Sequence, residues 1–181
     1  MDYSAAFSYY GGKSKIAHLY PAPSHPLVIE PFCGAAAYSL RWGWCRQIHI
    51  NDLNTDTYDV WQWIASPEAL ADIEKYVPDM ADIHIGMRVS EFADPNMARG
   101  LRLILQASCN GGTFGQSGQW DQITKIGIKV YSLLKDKLRW LCPYVRSRGW
   151  TITNLDYRQL PNVEATWFID PPYNNKAGSF Y

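Results

Sequence analysis

Two consecutive prolines, Pro171 and Pro172, close the stretch Trp167-Phe168-Ile169-Asp170 near the end of the chain. The apolar triplet suits a short strand buried on both faces. Asp170 stands at the C-terminal end of that strand. The prolines then stop it, because neither has an N–H for a ladder and each fixes φ near −65°. Asp170 is itself kept out of the helical region because it precedes a proline. The stretch therefore predicts a stiff turn at the mouth of a sheet, with one carboxylate, two backbone carbonyls and the ring of Tyr173. In open α/β sheets that edge is where ligands bind.

These groups suit a planar exocyclic amine. A carboxylate oxygen and a neighbouring carbonyl accept its two N–H donors, and the ring stacks on the heterocycle. Held in this way, the nitrogen lone pair is aimed at an incoming electrophile. Considered alone, the tetrapeptide is equally an ordinary strand-to-loop junction.

Three further stretches add to it. Phe7 to Lys15 contains Tyr9, Tyr10, Gly11, Gly12 and Lys13, a glycine turn that a ligand can approach, with flat faces and a cation beside it. A helix is expected from Ser14 to Tyr20, stopped by Pro21. Leu27 to Leu40 reads as strand, tight turn and helix. Phe32, Gly34 and Ala35 lie in the turn, which has the form of a nucleotide-cradling βα junction. Gln47 to Asp52 reads as a second strand ending on Asp52, at the spacing where a ribose diol is commonly held. Asp52 or Asn54 could instead cap the helix that follows.

Trp150 to Tyr157 reads as a third strand with Asp156 and Tyr157 just beyond it, and the strand ending at Ile169 is the fourth. Between the second and third, residues 66–148 break the βα alternation. Helices are expected over Glu68–Tyr76, Asn96–Ala107 and Ile123–Leu141. The last is basic, with Ile126, Val130, Leu133, Leu134, Leu138 and Leu141 as its apolar face. Before it, Cys109 to Trp120 holds Gly111, Gly112, Gly115 and Gly118 and has no apolar period. It predicts a long loop, a feature that is usually functional. Asn110, Gln116, Gln119 and Trp120 in it are suited to reading or stacking on bases.

Composition limits the alternatives. At 181 residues the chain makes one domain, or one with an insertion. Net charge is zero, mildly against a nucleic-acid partner, but the charge is polarised. Ten acidic residues against Lys75 and Arg88 fill 52–94, and seven basic against Asp121 and Asp136 fill 121–148, among them Lys125 and Lys129. Cys33, Cys45, Cys109 and Cys142 lack metal-ligand spacing and read as free thiols of a reducing compartment. Without a leader or a long apolar run, the chain is expected to be soluble and cytoplasmic.

Tyr-Gly-Gly-Lys, Glu-Pro-Phe-Cys-Gly-Ala, Asn-Gly-Gly-Thr-Phe-Gly and Asp-Pro-Pro-Tyr, in that order from Tyr9 to Tyr173, resemble the Dam-type (D12 class, alpha group) DNA adenine-N6 methyltransferases. The resemblance implies a Rossmann-like S-adenosylmethionine-dependent methyltransferase sheet from residues 1–65 and 149–181. It also implies a mainly helical target-recognition region inserted at 66–148. It assigns S-adenosyl-L-methionine to Tyr9, Lys13, Phe32, Gly34, Ala35, Asp52, Asp156, Tyr157 and Asp170. The target adenine N6 falls to Asp170 and the Pro171 carbonyl, with Pro172 fixing the turn and Tyr173 stacking on the flipped base. The implied reaction is direct methyl transfer to double-stranded DNA without a metal. DNA contacts are expected from Asn110, Gln116, Gln119, Trp120, Lys125 and Lys129.

In two places the chain departs from the family pattern, with Ala36 where a third glycine is usual and Tyr9 where tryptophan is frequent. Family members also continue for several strands beyond Asp-Pro-Pro-Tyr. A strand order of 3-2-1-4 would leave the Asp170 strand at an edge. That implies a fragment, a reduced relative, or a partner or second copy covering the edge. The alternative function is a non-catalytic DNA-binding relative that keeps the cofactor site.

Overall fold

A computed structural model describes residues 5–9, 12–110 and 122–171, the side chains of Cys45 and Asn110 excepted. Four short strands, β1 (Leu27–Glu30), β2 (Gln47–Asn51), β3 (Thr151–Thr153) and β4 (Thr166–Trp167), form one parallel sheet in the order β3-β2-β1-β4. Parallel neighbours need crossover connections, and helices supply them. The chain is therefore α/β, as expected. All four strands run the same way, so their C-terminal ends open on one edge.

β1 and β2 are buried because their apolar residues are continuous or alternate: Val28, Ile29, Ile48 and Ile50 are all core residues. α1 (Ala37–Trp42) follows β1 and α2 (Thr55–Ala65) follows β2. Asn54 caps α2, its side-chain oxygen accepting from the N–H groups of Asp56 (2.8 Å) and Thr57 (3.3 Å). That settles the capping question in favour of Asn54 over Asp52.

Residues 66–148 contribute α3 (Ala69–Tyr76), the short α4 (Val89–Phe92), α5 (Arg99–Asn110) and α6 (Lys125–Arg148). Trp61 and Ile64 of α2, Leu101 and Ile104 of α5, and Leu138 and Leu141 of α6 lie in one hydrophobic cluster with the sheet residues. α5 crosses α2 at backbone contact. A Cβ on Gly100 would lie 2.5 Å from the Asp59 carbonyl oxygen, so only glycine fits there. No helix among the described residues is long and apolar enough to cross a membrane.

Several boundaries differ from the sequence expectation. Ser14 to Tyr20 makes a turn and a 3₁₀ segment at Ala17–Leu19 rather than a helix. β4 is shorter than the Trp167–Ile169 run and is not buried on both faces. It pairs with β1 alone among the described residues, and Ile169 is 63% exposed. The ladder reaches one residue further, through Phe168 N–H to Ile29 O (2.9 Å), and then ends before Asp170. β3 stops at Thr153, where the Asn51 side chain takes over the following backbone.

α6 passes through Pro143 to Arg148 and ends on Gly149 at φ 59°. The buried stripe of Tyr131, Leu134, Leu138, Leu141, Cys142 and Val145 continues past the proline. That burial outweighs the roughly 3 kcal/mol that an interior proline costs a helix. Ile126 and Leu133, expected on the apolar face, are 66% and 69% exposed.

Candidate functional site

The sheet edge carrying the strand C-termini encloses a cavity of about 410 Å³. That lies within the roughly 300–1,000 Å³ common for small-molecule sites. Its walls come from each end of the chain: Tyr9, Gly12 and Lys13; Glu30 and Phe32 to Ala37; Asp52 to Asn54; Phe168 and Asp170.

The βα turn after β1 is fixed from several sides. Its first residues are anchored to β2 by Cys33 N–H to Asn51 O (2.9 Å). Gly34 N–H donates to Asp52 Oδ2 (2.9 Å), and Gly34 C=O accepts from Trp61 Nε1 (2.8 Å). Gly34 has φ +46°, and a Cβ there would lie 2.8 Å from the Tyr9 ring. Conformation and space both demand glycine. Ala36, at φ 48°, adopts the left-handed region without that freedom, a strained residue of the kind found at ligand sites.

Asp52 also takes the Asn54 N–H on Oδ1 (3.0 Å). A carboxylate has about four acceptor positions, so roughly two remain for a diol. Burial pushes the Asp52 carboxyl up from the ordinary carboxylate range, against the pull of its two backbone donors.

Lys13 and Asp170 meet across the cavity, Nζ to Oδ2 at 2.5 Å, both mostly shielded from solvent. Gly12 and Lys13 near the start of the chain and Asp170 after β4 thus face the same space. Phe168 stacks flat on Tyr38, 4.4 Å between centroids at 3°, and gives the adjacent wall an apolar face.

Glu30 belongs to the site although sequence reading gave it no role. It is 3% exposed and accepts from Ser39 Oγ (2.5 Å) and Ser39 N–H (3.2 Å). Burial pushes its carboxyl up to about 8, partly offset by the Ser39 bonds; the negative charges of Asp170 and Asp52 push the same way as burial. The available signal was an acidic residue closing an apolar strand, directly before Pro31.

Of the expected cofactor residues, Tyr9, Lys13, Phe32, Gly34, Ala35, Asp52 and Asp170 line the cavity. Asp156 and Tyr157 do not. Asp156 turns to its own neighbour and pairs with Arg158 (2.6 Å), which brings its carboxyl down to about 2. Tyr157 reaches only the outer side, its ring 5.5 Å from that of Phe32. Pro171 is described and exposed. Pro172, Tyr173, Tyr10, Gly11, Gln116, Gln119 and Trp120 lie outside the described residues, as does the side chain of Asn110. Lys125 and Lys129 lie apart from the cavity, in a groove along α6.

The residues present fit S-adenosylmethionine by charge. That molecule carries a sulfonium, an ammonium and a carboxylate. The cavity presents the carboxylates of Asp52 and Asp170, the ammonium of Lys13 paired with Asp170, and the Glu30 carboxyl, which burial keeps largely protonated at neutral pH. Comparison of the sequence with protein-family models and with curated proteins found no match.

Proposed function

We propose that the chain transfers a methyl group from S-adenosylmethionine to the exocyclic N6 of adenine in double-stranded DNA. The sheet order is compatible with a Rossmann-like methyltransferase domain, and residues 66–148 serve in this reading as the target-recognition region. One observation carries the proposal. Lys13 and Asp170, 157 positions apart, meet at 2.5 Å over a cavity that also holds Asp52 and the Gly34 turn.

Each residue has a task that its position supports. Asp52 accepts the ribose hydroxyls while fixing Gly34. Gly34 lets the turn pack directly against the Tyr9 ring, and both line the cavity that would take the cofactor. Lys13 holds the Asp170 carboxylate turned toward the cavity. Asp170 accepts one N–H of the adenine amine and the Pro171 carbonyl the other, which orients the nitrogen lone pair. S-adenosylmethionine supplies an electrophilic methyl group.

The test is methyl-label transfer from S-adenosylmethionine into duplex DNA, followed by identification of the labelled base. The expected result is label on adenine N6. In Asp170→Asn, turnover is lost while DNA binding persists. Wild-type protein that neither binds the cofactor nor labels any duplex overturns the proposal. DNA binding with no turnover, before or after the substitution, identifies a non-catalytic relative instead.

A further inference from the structure

Glu30 closes β1 and lies, 3% exposed, in the wall of the cavity. Its two oxygens are used unequally. Both bonds from Ser39, from Oγ (2.5 Å) and from N–H (3.2 Å), go to Oε2. Oε1 takes part in no hydrogen bond or ion pair among the described residues. It is not sealed from solvent either, so part of the little exposure that Glu30 keeps is at that oxygen, toward the cavity. Holding Ser39 does not explain an acid here. Glutamine accepts the same two bonds and has no charge to desolvate.

Titratable groups face Glu30 from every element around it. Burial is the main force pushing its carboxyl up to about 8, and the carboxylates of Asp170, beyond β4, and Asp52, beyond β2, push the same way. Burial also holds the Cys33 thiol and the Tyr38 phenol up in their neutral forms, and Glu30 adds to both. Lys13 lines the same cavity and is tied to Asp170 at 2.5 Å.

Positive charge entering the cavity acts against these forces. It offsets the desolvation of an ionised Oε1 and the repulsion from Asp52 and Asp170. A neutral or anionic ligand does neither. The buried, half-used carboxyl is thus arranged to change its protonation state with the charge of what the cavity holds.

We infer that Glu30 is a ligand-binding residue that releases its proton to solvent as Oε1 meets a positively charged ligand, so that the cavity takes an organic cation in exchange for a proton. The O–H of Glu30 is the one bond broken, and the proton passes to buffer. This rests on the cofactor reading, in which S-adenosylmethionine brings the charge. Below about 8 the bound state then holds fewer protons than the free state, so affinity rises with pH there and levels off above it.

The experiment is calorimetry of S-adenosylmethionine binding to the full chain, without DNA, in two buffers of different ionisation enthalpy. The dependence of the heat on the buffer counts the protons released. At pH 6.5 wild type should release about one proton per ligand bound, and Glu30→Gln almost none. Between pH 5.5 and pH 7 wild-type affinity should rise about tenfold per pH unit, a slope that the variant should lack. The difference between the two proteins cancels any share from Asp52. A second measurement needs no variant to be stable. Carbon NMR of labelled glutamate should show the Glu30 Cδ signal moving from its protonated to its ionised position when S-adenosylmethionine is added at pH 6.5. A signal that stays at the protonated position under saturating ligand overturns the exchange. Binding with the same proton release in Glu30→Gln as in wild type also overturns it, and leaves the cofactor reading standing. No binding by wild type at any of these pH values overturns that reading and the inference with it. Proton release on binding without label transfer to DNA supports the exchange and removes the chemistry.

Discussion

Glu30→Gln isolates the most perturbed carboxyl of the site. In the folded chain this group titrates at about 8, raised by burial from an ordinary 4.5. Between those values the folded state holds a proton that the unfolded state has released. Stability therefore falls as pH rises through the window, by about 1.4 kcal/mol per pH unit, roughly 5 kcal/mol in all as an upper bound. Below 4.5 both states are protonated, and above 8 both are ionised, so the loss is confined to the window. Glutamine keeps an acceptor for Ser39 Oγ and N–H but carries no charge to desolvate. The assay is urea unfolding of wild type and variant at half-unit steps from pH 5 to pH 9. The difference between the two curves cancels the titrations they share. These include Asp52, raised by burial and acting in the same direction, and Asp156, lowered by Arg158 and acting in the opposite one. The variant should gain on the wild type steadily up to pH 8 and then run parallel to it. A difference that does not change with pH would show that Glu30 is ionised throughout, and that the burial argument fails.

Three further substitutions address how the turn is held. Gly34→Ala places a Cβ 2.8 Å from the Tyr9 ring at φ +46°. It should cost about 1–3 kcal/mol in urea unfolding and weaken cofactor binding measured by calorimetry, since the ring that must move is a cavity wall. Trp61→Phe removes the donor to the buried Gly34 carbonyl. A loss of about 1–3 kcal/mol is expected, with near-wild-type stability counting against the clamp. Asn51→Ala deletes a 1%-exposed amide that donates to Pro31 O and Leu155 O and accepts from Leu155 N–H and Thr153 Oγ1. Loss of about 3 kcal/mol or more, together with faster hydrogen exchange at Leu155, is expected.

The parts of the fold that were legible in the sequence are those set by local pattern. Leu27 to Ile29 and Ile48 with Ile50 announce β1 and β2 because central parallel strands need apolar residues whatever packs on them. The ends of β3 and β4 were not legible, because an outer strand lasts only as long as its single neighbour supports it. The exposed Ile126 and Leu133 show the same limit on α6. Periodicity marks which residues share a face but not whether a neighbour covers it. Asp156 stands outside the cavity lining for the opposite reason. Its carboxylate takes the Arg158 N–H (3.0 Å) and guanidinium (2.8 Å) two residues away, and a local turn of that kind outcompetes a distant ligand site. Glu30 carries a weak local signal, an acidic residue closing an apolar strand, but its hydrogen-bond partner Ser39 lies nine residues on and no local pattern marks it.

The position of the cavity follows from strand order alone. From β1 the chain moves to β2 and β3 on one side of the sheet, then returns to place β4 on the other. Such a reversal of strand order opens a crevice at the carboxyl ends of β1 and β4. Glu30 and the Gly34 turn leave from β1, and Asp170 leaves from β4. Lys13 lines the same cavity and ties the N-terminal stretch to Asp170 through their ion pair. Asp52 closes the other flank from β2 by holding Gly34. A two-residue β4 is sufficient for this purpose. Its hydrogen bonds to β1 need only fix where the chain leaves the sheet, and Pro171 then restricts the backbone of Asp170 to extended conformations.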